Sequence, residues 1–392
     1  MKILGIESSC DETAAAVVED GRKLLSNVIQ SQIDIHTAFG GVVPEVAARS
    51  HLEVILQVVD EAVREAASEK LVDPDRAVRM TRGGADRVAG PEHPEDETSF
   101  APLHDPWDQI DAIAVTTRPG LIGSLLIGSL TARTLALIKN KPLYPINHVE
   151  AHVYANFIGK NEPKFPMLAL IVSGGHSQIA LFRDHGDYEL IGQTQDDAVG
   201  EAFDKVAKIL GLPYPGGPSI SQAAEEGDPH AYNFPKAKMS RKYDFSFSGL
   251  KTAVLRTAQS EVGKDHTFPS TGLSELLSAS QRNNFAASFQ HVAVETLVDK
   301  VITAYEEFHP KSVVIAGGVA ANQELRLQLA ERLPIAIEYP PPYLCTDNAA
   351  MIASLGYFMA KEIPPADPRD VEVQPSISTV KTARGLYTIS SS

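Results

Sequence analysis

The sequence repeatedly places a short apolar run before a glycine-rich or polar turn and follows the turn with a segment of helical or alternating periodicity. Runs this short and apolar are typical of strands that are buried on both faces in α/β proteins. They predict strands over 2–6, 14–18, 110–117, 167–173, 178–182 and 312–316, and helices over 121–138, 197–210, 322–333 and 349–359. Because predicted strands and predicted helices alternate along the chain, the pattern predicts α/β architecture.

Three of the predicted strands end in similar turns, near Glu7, Gly174 and Gly317. In a duplicated α/β protein, a pair of such turns can face each other across a cleft and bind phosphate through backbone N–H groups. A Gly-Gly pair is also a common tight turn. The three positions therefore leave both interpretations open.

Length, charge and cysteine content limit the class of protein. A chain of 392 residues favours more than one domain. Its net charge of −15 would repel a nucleic acid, so a basic patch or a partner would have to attract one. The two cysteines, Cys10 and Cys345, exclude a disulfide framework. No leader peptide is evident in MKILGIESS and no apolar run reaches the ~18 residues of a membrane span, so we expect a soluble cytoplasmic protein.

Two segments depart from the α/β pattern. Residues 69–108 contain five prolines among charges of both signs, which predicts an exposed insertion. The segment 362–392 is rich in proline and then in serine and threonine, which predicts a surface or disordered tail. We expect neither segment to contribute to the chemistry.

His148 and His152 are four residues apart, and a helix would place both imidazoles on one face. This spacing supplies two ligands in many metal sites, although such pairs are more often structural. Asp347, in a Cys-Thr-Asp-Asn turn before a predicted helix, is the best candidate for a third ligand. Two histidines and one carboxylate would leave coordination positions open for a substrate. A zinc protease is disfavoured, because Glu150 lies two residues from each histidine and on the opposite helix face.

Other candidate residues have a structural explanation beside a functional one. Glu12 follows the first strand and could act near a reacting group or cap the next segment. Asp204, on a predicted helix, could bind a ribose hydroxyl or belong to a solvated face. Lys251 could contact phosphate or lie on a helix surface, and Tyr214–Pro218 could pack on an adenine or form only a turn.

Taken together, the motifs resemble the bacterial and mitochondrial branch of the tRNA N6-adenosine threonylcarbamoyltransferases, the TsaD family. The matching blocks cover nearly the whole chain outside the insertion and the tail. They are ILGIESSCDET at 3–13, FGGVVPEVAAR at 39–49, RPGLIGSLLIG at 118–128, HVEAH at 148–152, VSGGHSQ at 172–178, DDAVGEAFDKVAKILGLPYPGGP at 196–218, DFSFSGLKTA at 244–253, AGGVAAN at 316–322 and CTDNAAMIA at 345–353. So many blocks in one order are far more specific than any one of them.

The resemblance implies an actin-like, sugar-kinase-like α/β fold with two lobes and a nucleotide cleft between them. We expect an N-terminal lobe over 1–147 that the helix 348–361 completes, and a C-terminal lobe over 148–347. The implied activity is transfer of the threonylcarbamoyl group from threonylcarbamoyl-AMP to N6 of adenine 37 in tRNAs that read ANN codons. The implied partners are the tRNA anticodon loop, a TsaB-like paralogue in a heterodimer and a TsaE-like ATPase. Binding to a membrane is not implied.

The resemblance also implies roles for residues of this chain. The family's metal ligands correspond to His148, His152 and Asp347, with one divalent ion, Fe2+ or Zn2+, in each subunit. Glu12 matches a residue beside the reacting centre. The residues that bind threonylcarbamoyl-AMP, or an adenine nucleotide in the same cleft, correspond to Ile171, Val172, Ser173, Gly174, Gly175, Asp204, Gly217 and Asn322.

Two departures from the family pattern bear on these roles. The strand LALIVSGGH lacks the tyrosine that serves as an extra metal ligand in the archaeal and eukaryotic cytosolic branch. Ser221 stands where many relatives have an acidic residue for the ligand's ribose.

Two alternatives to the transferase remain at this point: an ATP-dependent phosphotransferase or ATPase of the same fold, and a non-catalytic scaffold. Neither gives a reason for the proposed metal ligands to converge.

Overall fold

The computed structural model describes residues 1–68, 105–160 and 162–376. Most of the predicted insertion over 69–108 and the end of the predicted tail over 362–392 therefore lie outside the described residues. The chain divides into two compact units. The first consists of Met1–Tyr154, Ile158–Lys160 and Asn348–Ile377, and the second includes Ala155–Phe157 and Asn161–Asp347.

Each unit contains one five-stranded sheet. The first sheet is formed by β1 (Lys2–Glu7), β2 (Glu12–Glu19), β3 (Lys23–Ser31), β4 (Ala112–Arg118) and β5 (Leu143–Asn147). The second is formed by β6 (Met167–Val172), β7 (Ser177–Asp184), β8 (Asp187–Gln193), β9 (Ser312–Ala316) and β10 (Ile337–Glu338).

The two sheets have the same topology. Their strand orders are β3-β2-β1-β4-β5 and β8-β7-β6-β9-β10. In each sheet the first three strands in sequence pair antiparallel, and the last two continue parallel to the first. This repetition confirms the predicted α/β fold in two similar units.

Ten α-helices occur in the described residues, four of them before β6 and six after it. They are α1 (Ile33–Thr37), α2 (Pro44–Ala67), α3 (Ile122–Lys139), α4 (His148–Tyr154), α5 (Val199–Leu210), α6 (Gly216–Ala224), α7 (Ser248–Glu261), α8 (Ala279–Phe308), α9 (Gln323–Arg332) and α10 (Ala349–Glu362). A 3-10 helix, Pro106–Gln109, precedes β4.

In the first unit, helices cover a sheet whose central strands are apolar on both faces. Every residue of β4 is buried, as are the five residues of β1 from Ile3 to Glu7. α10 packs closely on this sheet because small residues allow it. A Cβ at Gly5 would lie 2.7 Å from the backbone N of Ala353, and one at Gly356 would lie 2.6 Å from the Cβ of Ala114. Because β1, β4 and β5 run parallel, their carboxyl ends lie at one edge of the sheet.

The second unit builds its core from β6, β7 and β9 with α5, α7 and α8. α5 is amphipathic, and its buried face includes Val199, Phe203 and Val206. The helix ends at Gly211 in the left-handed conformation. α8 begins with a capping box between Ser278 and Gln281. The carboxyl ends of β6 and β9 again lie at one edge.

The part of the tail that the structure describes packs on the first unit. Arg133 donates to the carbonyl O atoms of Pro368 and Arg369, and the backbone N–H of Gln374 donates to the carbonyl O of Thr117 at 2.9 Å. By length and composition alone, α3 could cross a membrane, with a mean hydropathy of 1.3 over its 18 residues. One such helix is weak evidence, because the core helix of a soluble protein passes the same test. α3 packs on α2 and β4, and 33% of its 18 residues are buried.

Candidate functional site

α4 presents two histidines from one buried helical turn of the first unit. β5 ends at Asn147, whose Oδ1 accepts the backbone N–H of Val149 at 2.9 Å and so caps the helix. All seven residues of His148–Tyr154 are buried. The rings of His148 and His152 lie edge to face with their centroids 4.7 Å apart. The spacing of four residues thus places both imidazoles on one face.

Asp347 is joined by its peptide bond to Asn348, the N-cap residue of α10. Asn348 is fully buried, and its Oδ1 accepts the backbone N–H of Met351 at 3.0 Å, which fixes where the helix begins. His148, His152 and Asp347 each offer one ligand atom, and these atoms all lie within 4.8 Å of one another. Two imidazoles and a carboxylate at this separation fit a divalent transition metal.

Glu12 is the first residue of β2 and is partly buried. It pairs in register with Ser31 on β3, whose Oγ donates to Oε1 of Glu12 at 3.4 Å. The turn before Glu12 is held by His51, which is fully buried. Nε2 of His51 lies 3.0 Å from the carbonyl O of Cys10, and its Nδ1 lies 2.7 Å from Oγ1 of Thr13. The sequence analysis did not identify this histidine.

In the second unit, the predicted donor-binding segment Ile171–Gly175 covers the end of β6 and the turn after it. The backbone N–H of Ser173 donates to the carbonyl O of His176 at 2.8 Å, which closes the turn. Gly174 and Gly175 are exposed, and a Cβ at either would meet no atom within 4 Å. The space on the Cβ side of both residues is therefore open.

α5 begins directly against this turn. A Cβ at Gly200 would lie 2.6 Å from the carbonyl O of Ser173 and 2.8 Å from the Cα of Gly174, so only glycine permits this approach. Asp204, on the next turn of α5, accepts the backbone N–H of Gly216 at 2.7 Å through Oδ1. Burial raises the pKa of the Asp204 carboxyl, and the hydrogen bond from Gly216 opposes that shift.

Gly217 follows in the first turn of α6, and a Cβ there would meet no atom within 4 Å. Because Gly216 donates its backbone N–H to Asp204, the next residue, Gly217, lies close to the Asp204 carboxylate. Lys251, which the sequence offered as a phosphate contact or a helix-surface residue, forms an ion pair with Asp197. Its Nζ lies 2.8 Å from Oδ2 of that residue. Asp197 also pairs with Lys205 at 2.8 Å.

Asn322 follows the turn after β9 and is the N-cap residue of α9, where its Oδ1 accepts the backbone N–H of Leu325 at 3.0 Å. Its Nδ2 donates to Oε1 of Gln290 at 2.9 Å and to Oγ of Ser221 at 3.1 Å. Ser221 donates to the same oxygen of Gln290 at 2.8 Å. Gln290, on α8, is a further residue that the sequence analysis did not identify.

The predicted site residues fall into two groups. His148, His152 and Asp347 come together as one set of ligand atoms, and Glu12 lies in the same unit as the two histidines. The segment Ile171–Gly175 belongs to the second unit, together with Asp204, Gly217 and Asn322.

A comparison with protein families finds one matching description. The family model for "TsaD: tRNA N6-adenosine threonylcarbamoyltransferase" matches residues 23–75 and 103–354, which is most of the chain.

Curated relatives named tRNA N6-adenosine threonylcarbamoyltransferase match this chain along nearly their whole length. The relative from Thermomicrobium roseum is 47% identical over 374 residues, with 92% of each chain covered. The relative from Dehalococcoides mccartyi is 46% identical over 381 residues, with 96% of this chain and 99% of the relative covered. The relative from Symbiobacterium thermophilum is 46% identical over 360 residues, with 91% of each covered.

Solved structures of HypF resemble this chain in fold. The structure of T. kodakarensis HypF aligns with a TM-score of 0.56 at 12% identity and covers 92% of this chain and 48% of that chain. A full-length HypF in the phosphate- and nucleotide-bound form aligns with a TM-score of 0.53 at 12% identity. The alignment covers 93% of this chain and 47% of that chain. This chain therefore spans about half the length of HypF. With the repeated sheet topology, the likeness confirms the actin-like, sugar-kinase-like fold.

Proposed function

Since the chain belongs to the TsaD family of tRNA N6-adenosine threonylcarbamoyltransferases, we propose that His148, His152 and Asp347 hold the metal ion used in this acyl transfer. The protein is an acyltransferase that forms threonylcarbamoyladenosine in tRNA. The observation that carries the proposal is the convergence of these three side chains, whose ligand atoms all lie within 4.8 Å. The ATPase and scaffold alternatives are not favoured, because the relatives are named as transferases.

The donor set fits Fe2+ or Zn2+, because both ions accept imidazole and carboxylate ligands and leave positions open at three protein ligands. A bound ion would supply a Lewis acid that stabilises negative charge on the oxygens of the threonylcarbamoyl group. The chain's own contribution is to hold the ligands rigidly, since His148 and His152 belong to a fully buried helix and Asp347 precedes a buried N-cap.

We propose threonylcarbamoyl-AMP as the donor and place its adenylate on the second unit. The exposed turn at Gly174 and Gly175 would donate backbone N–H groups to the phosphate. Asp204 uses Oδ1 for Gly216, and its Oδ2 can accept a ribose hydroxyl. Gly217 and Asn322 complete this surface, which an adenine nucleotide could also occupy.

The reaction is an exchange of acyl bonds. The N6 amine of adenine 37 attacks the carbamoyl carbon, a C–N bond forms, the bond from that carbon to the phosphate oxygen breaks, and AMP leaves with its electron pair. The amine loses one proton in the process. Because the donor is already activated, orientation and charge stabilisation are what the enzyme must supply. We propose Glu12 as a catalytic residue beside this reacting centre.

The substrate is a tRNA, and we propose that the anticodon loop is bound because its bases can unstack at low cost. The net charge of −15 opposes this binding, so basic surfaces of partners would help to hold the tRNA. We propose a TsaB-like paralogue in a heterodimer and a TsaE-like ATPase as these partners, acting together in the cytoplasm.

The first unit offers a surface that suits the paralogue. Leu52 and Leu56 of α2 are 65% and 66% exposed, one helical turn apart. Ile122, Leu126 and Leu130 of α3 are 49%, 41% and 51% exposed at the same spacing. An apolar stripe on two neighbouring helices is typical of a helix-packing interface.

The test is to incubate an unmodified ANN-decoding tRNA with this protein, the candidate partners and threonylcarbamoyl-AMP, and to measure threonylcarbamoyladenosine by mass spectrometry of the nucleosides. His148→Ala should lose both the product and the bound metal. The matched control is His266→Ala, since His266 is exposed and outside the proposed site. Full activity of His148→Ala would contradict the proposed metal centre, and the absence of product with wild-type protein would contradict the choice of donor or partners.

A further inference from the structure

Glu7 is a buried carboxylate at the end of β1 to which neither the motifs nor the family resemblance gives a role. The residue is 1% exposed. A carboxylate in such surroundings is costly to bury unless neighbouring groups donate hydrogen bonds to it. Its neighbours therefore indicate what the carboxylate does.

Ser9, Thr116 and His148 each contact an oxygen of Glu7. Oε1 accepts the backbone N–H of Ser9 at 2.5 Å. Oε2 accepts the hydroxyl of Thr116 at 2.5 Å and lies 3.0 Å from Nδ1 of His148. Parallel pairing of β1, β4 and β5 brings these groups to one edge of the sheet, because each lies near the end of one of these strands or just after it.

The contact with Glu7 bears on which ring nitrogen of His148 carries a proton. Nδ1 of His148 and Oε2 of Glu7 lie at hydrogen-bond distance, and because an ionised carboxylate can only accept a hydrogen bond, this contact favours a proton on Nδ1. Ser9 Oγ lies 3.2 Å from the same Nδ1 and, as a hydroxyl, can accept a second branch of this bond. A neutral imidazole with its proton on Nδ1 has its lone pair on Nε2, the form that binds a metal through Nε2.

We propose that Glu7 is a positioning residue of the metal centre, which keeps the proton of His148 on Nδ1 and presents Nε2 as the metal ligand. The inference rests on the proposed function, because it takes His148 to be a ligand. Carboxylates that orient a ligating histidine in this way commonly change metal affinity by about 10- to 100-fold when they are lost. Glu7 is not a candidate for binding the adenylate directly, since its negative charge would repel phosphate.

A purely structural role, in which Glu7 only joins β1 to β4, predicts something different. Thr116 makes the β1–β4 link by donating its hydroxyl to Glu7. Thr116→Val therefore removes a donor to Glu7 and keeps the contact between Glu7 and His148. It is the matched control for Glu7→Gln, which keeps the shape of the side chain and removes its charge.

The experiment measures the affinity of the full-length, metal-free protein for Zn2+ alone, by competition with a fluorescent chelator. We expect Glu7→Gln to bind Zn2+ about 10- to 100-fold more weakly, and Thr116→Val to stay within about threefold of wild type. His152→Ala is the positive control for loss of the site. Urea unfolding of each metal-free variant shows whether it is folded.

The outcomes separate the inference from the proposed function. Weak binding by Glu7→Gln, with near wild-type binding by Thr116→Val, supports the positioning role. Unchanged binding by Glu7→Gln, while His152→Ala loses Zn2+, overturns the positioning role and leaves the metal centre in place. Unchanged binding by His152→Ala overturns the metal centre and the inference together.

A second measurement needs no variant and decides the case if Glu7→Gln does not fold. Long-range 1H–15N NMR of metal-free, histidine-labelled wild-type protein reports which ring nitrogen of His148 carries the proton. We expect a proton on Nδ1. An Nε2–H tautomer would overturn the proposal.

Discussion

Asn322 and Gln290 lie on different helices of the second unit and share a hydrogen bond of 2.9 Å, from Nδ2 of Asn322 to Oε1 of Gln290. Asn322 is held on its other side as the N-cap of α9, where Oδ1 accepts the backbone N–H of Leu325 at 3.0 Å. Both ends of the amide are therefore fixed. Gln290 also accepts from Ser221, so one glutamine orients two side chains at the proposed adenylate surface.

We predict that Gln290→Leu weakens binding of the donor. The substitution removes the acceptor that orients Asn322, and a single hydrogen bond contributes about 0.5–1.5 kcal/mol. KM for threonylcarbamoyl-AMP should therefore rise roughly two- to tenfold, with a smaller change in kcat. Steady-state kinetics with saturating tRNA measure both constants. Glu306→Gln, at an exposed position on the same helix, should change neither, and an unchanged KM in Gln290→Leu would show that Asn322 does not depend on Gln290.

The sequence predicted the central strands and the turns after them, because apolar runs that end in glycine are a strong local signal. β6 and β9 were expected at 167–173 and 312–316 and lie at Met167–Val172 and Ser312–Ala316. β8 was not predicted, because its residues are mostly partly buried and give no clean apolar run. The repeated turns left a duplicated protein as one of two interpretations, and the two lobes were implied by the family resemblance. The shared strand order of the two units could be read only from the structure.

The site was predictable where one local segment or one family motif names it. The spacing of His148 and His152 predicted a shared helix face, and the Cys-Thr-Asp-Asn turn named Asp347 as the third candidate. In the structure the ligand atoms of these three residues lie within 4.8 Å of one another. Glu7 and Gln290 could not be found in this way. Glu7 contacts a histidine 141 positions away, and Gln290 contacts an asparagine 32 positions away. No local sequence pattern predicts contacts between residues so far apart in the chain.

A second prediction concerns the cap that places Asp347. Asn348→Ala removes the side chain that caps α10, which costs about 0.5–2 kcal/mol of unfolding free energy. Because Asp347 is the preceding residue, the metal affinity of the protein should fall as well. Urea denaturation and Zn2+ competition measure the two effects. Ser278→Ala removes the cap of α8 and is the matched control. It should lose stability and retain metal affinity, and equal metal affinities in both variants would contradict the link between the cap and the ligand.

A third prediction tests the close approach of α5 to the turn after β6. Gly200→Ala would place a Cβ 2.6 Å from the carbonyl O of Ser173, so the turn or the helix must move. We expect a loss of stability of about 1–3 kcal/mol from this overpacking and a weaker affinity for threonylcarbamoyl-AMP, measured by calorimetry. Gly249→Ala, in α7, is the control because a Cβ there meets no atom within 4 Å. It should be neutral or stabilising, and the same result for Gly200→Ala would show that the turn tolerates the displacement.

The last prediction follows from His51, the buried imidazole that holds the turn before Glu12. Burial lowers the pKa of His51, with a smaller contribution in the same direction from His36. The carbonyl of Cys10 and the charges of Glu7 and Asp11 act in the opposite direction and are outweighed.

Because the folded state binds the proton of His51 less tightly than the unfolded state, the unfolding free energy should fall as the pH drops below about 6.5. The slope from one such group is at most about 1.4 kcal/mol per pH unit, and it ends near the lowered pKa. His51→Gln removes the titrating group, so the difference between its curve and that of wild type, from urea denaturation between pH 5 and 8, isolates this contribution. Parallel curves of unfolding free energy against pH for wild type and His51→Gln would contradict the prediction. They would mean that His51 binds its proton equally well in the folded and the unfolded state, so that burial does not weaken proton binding.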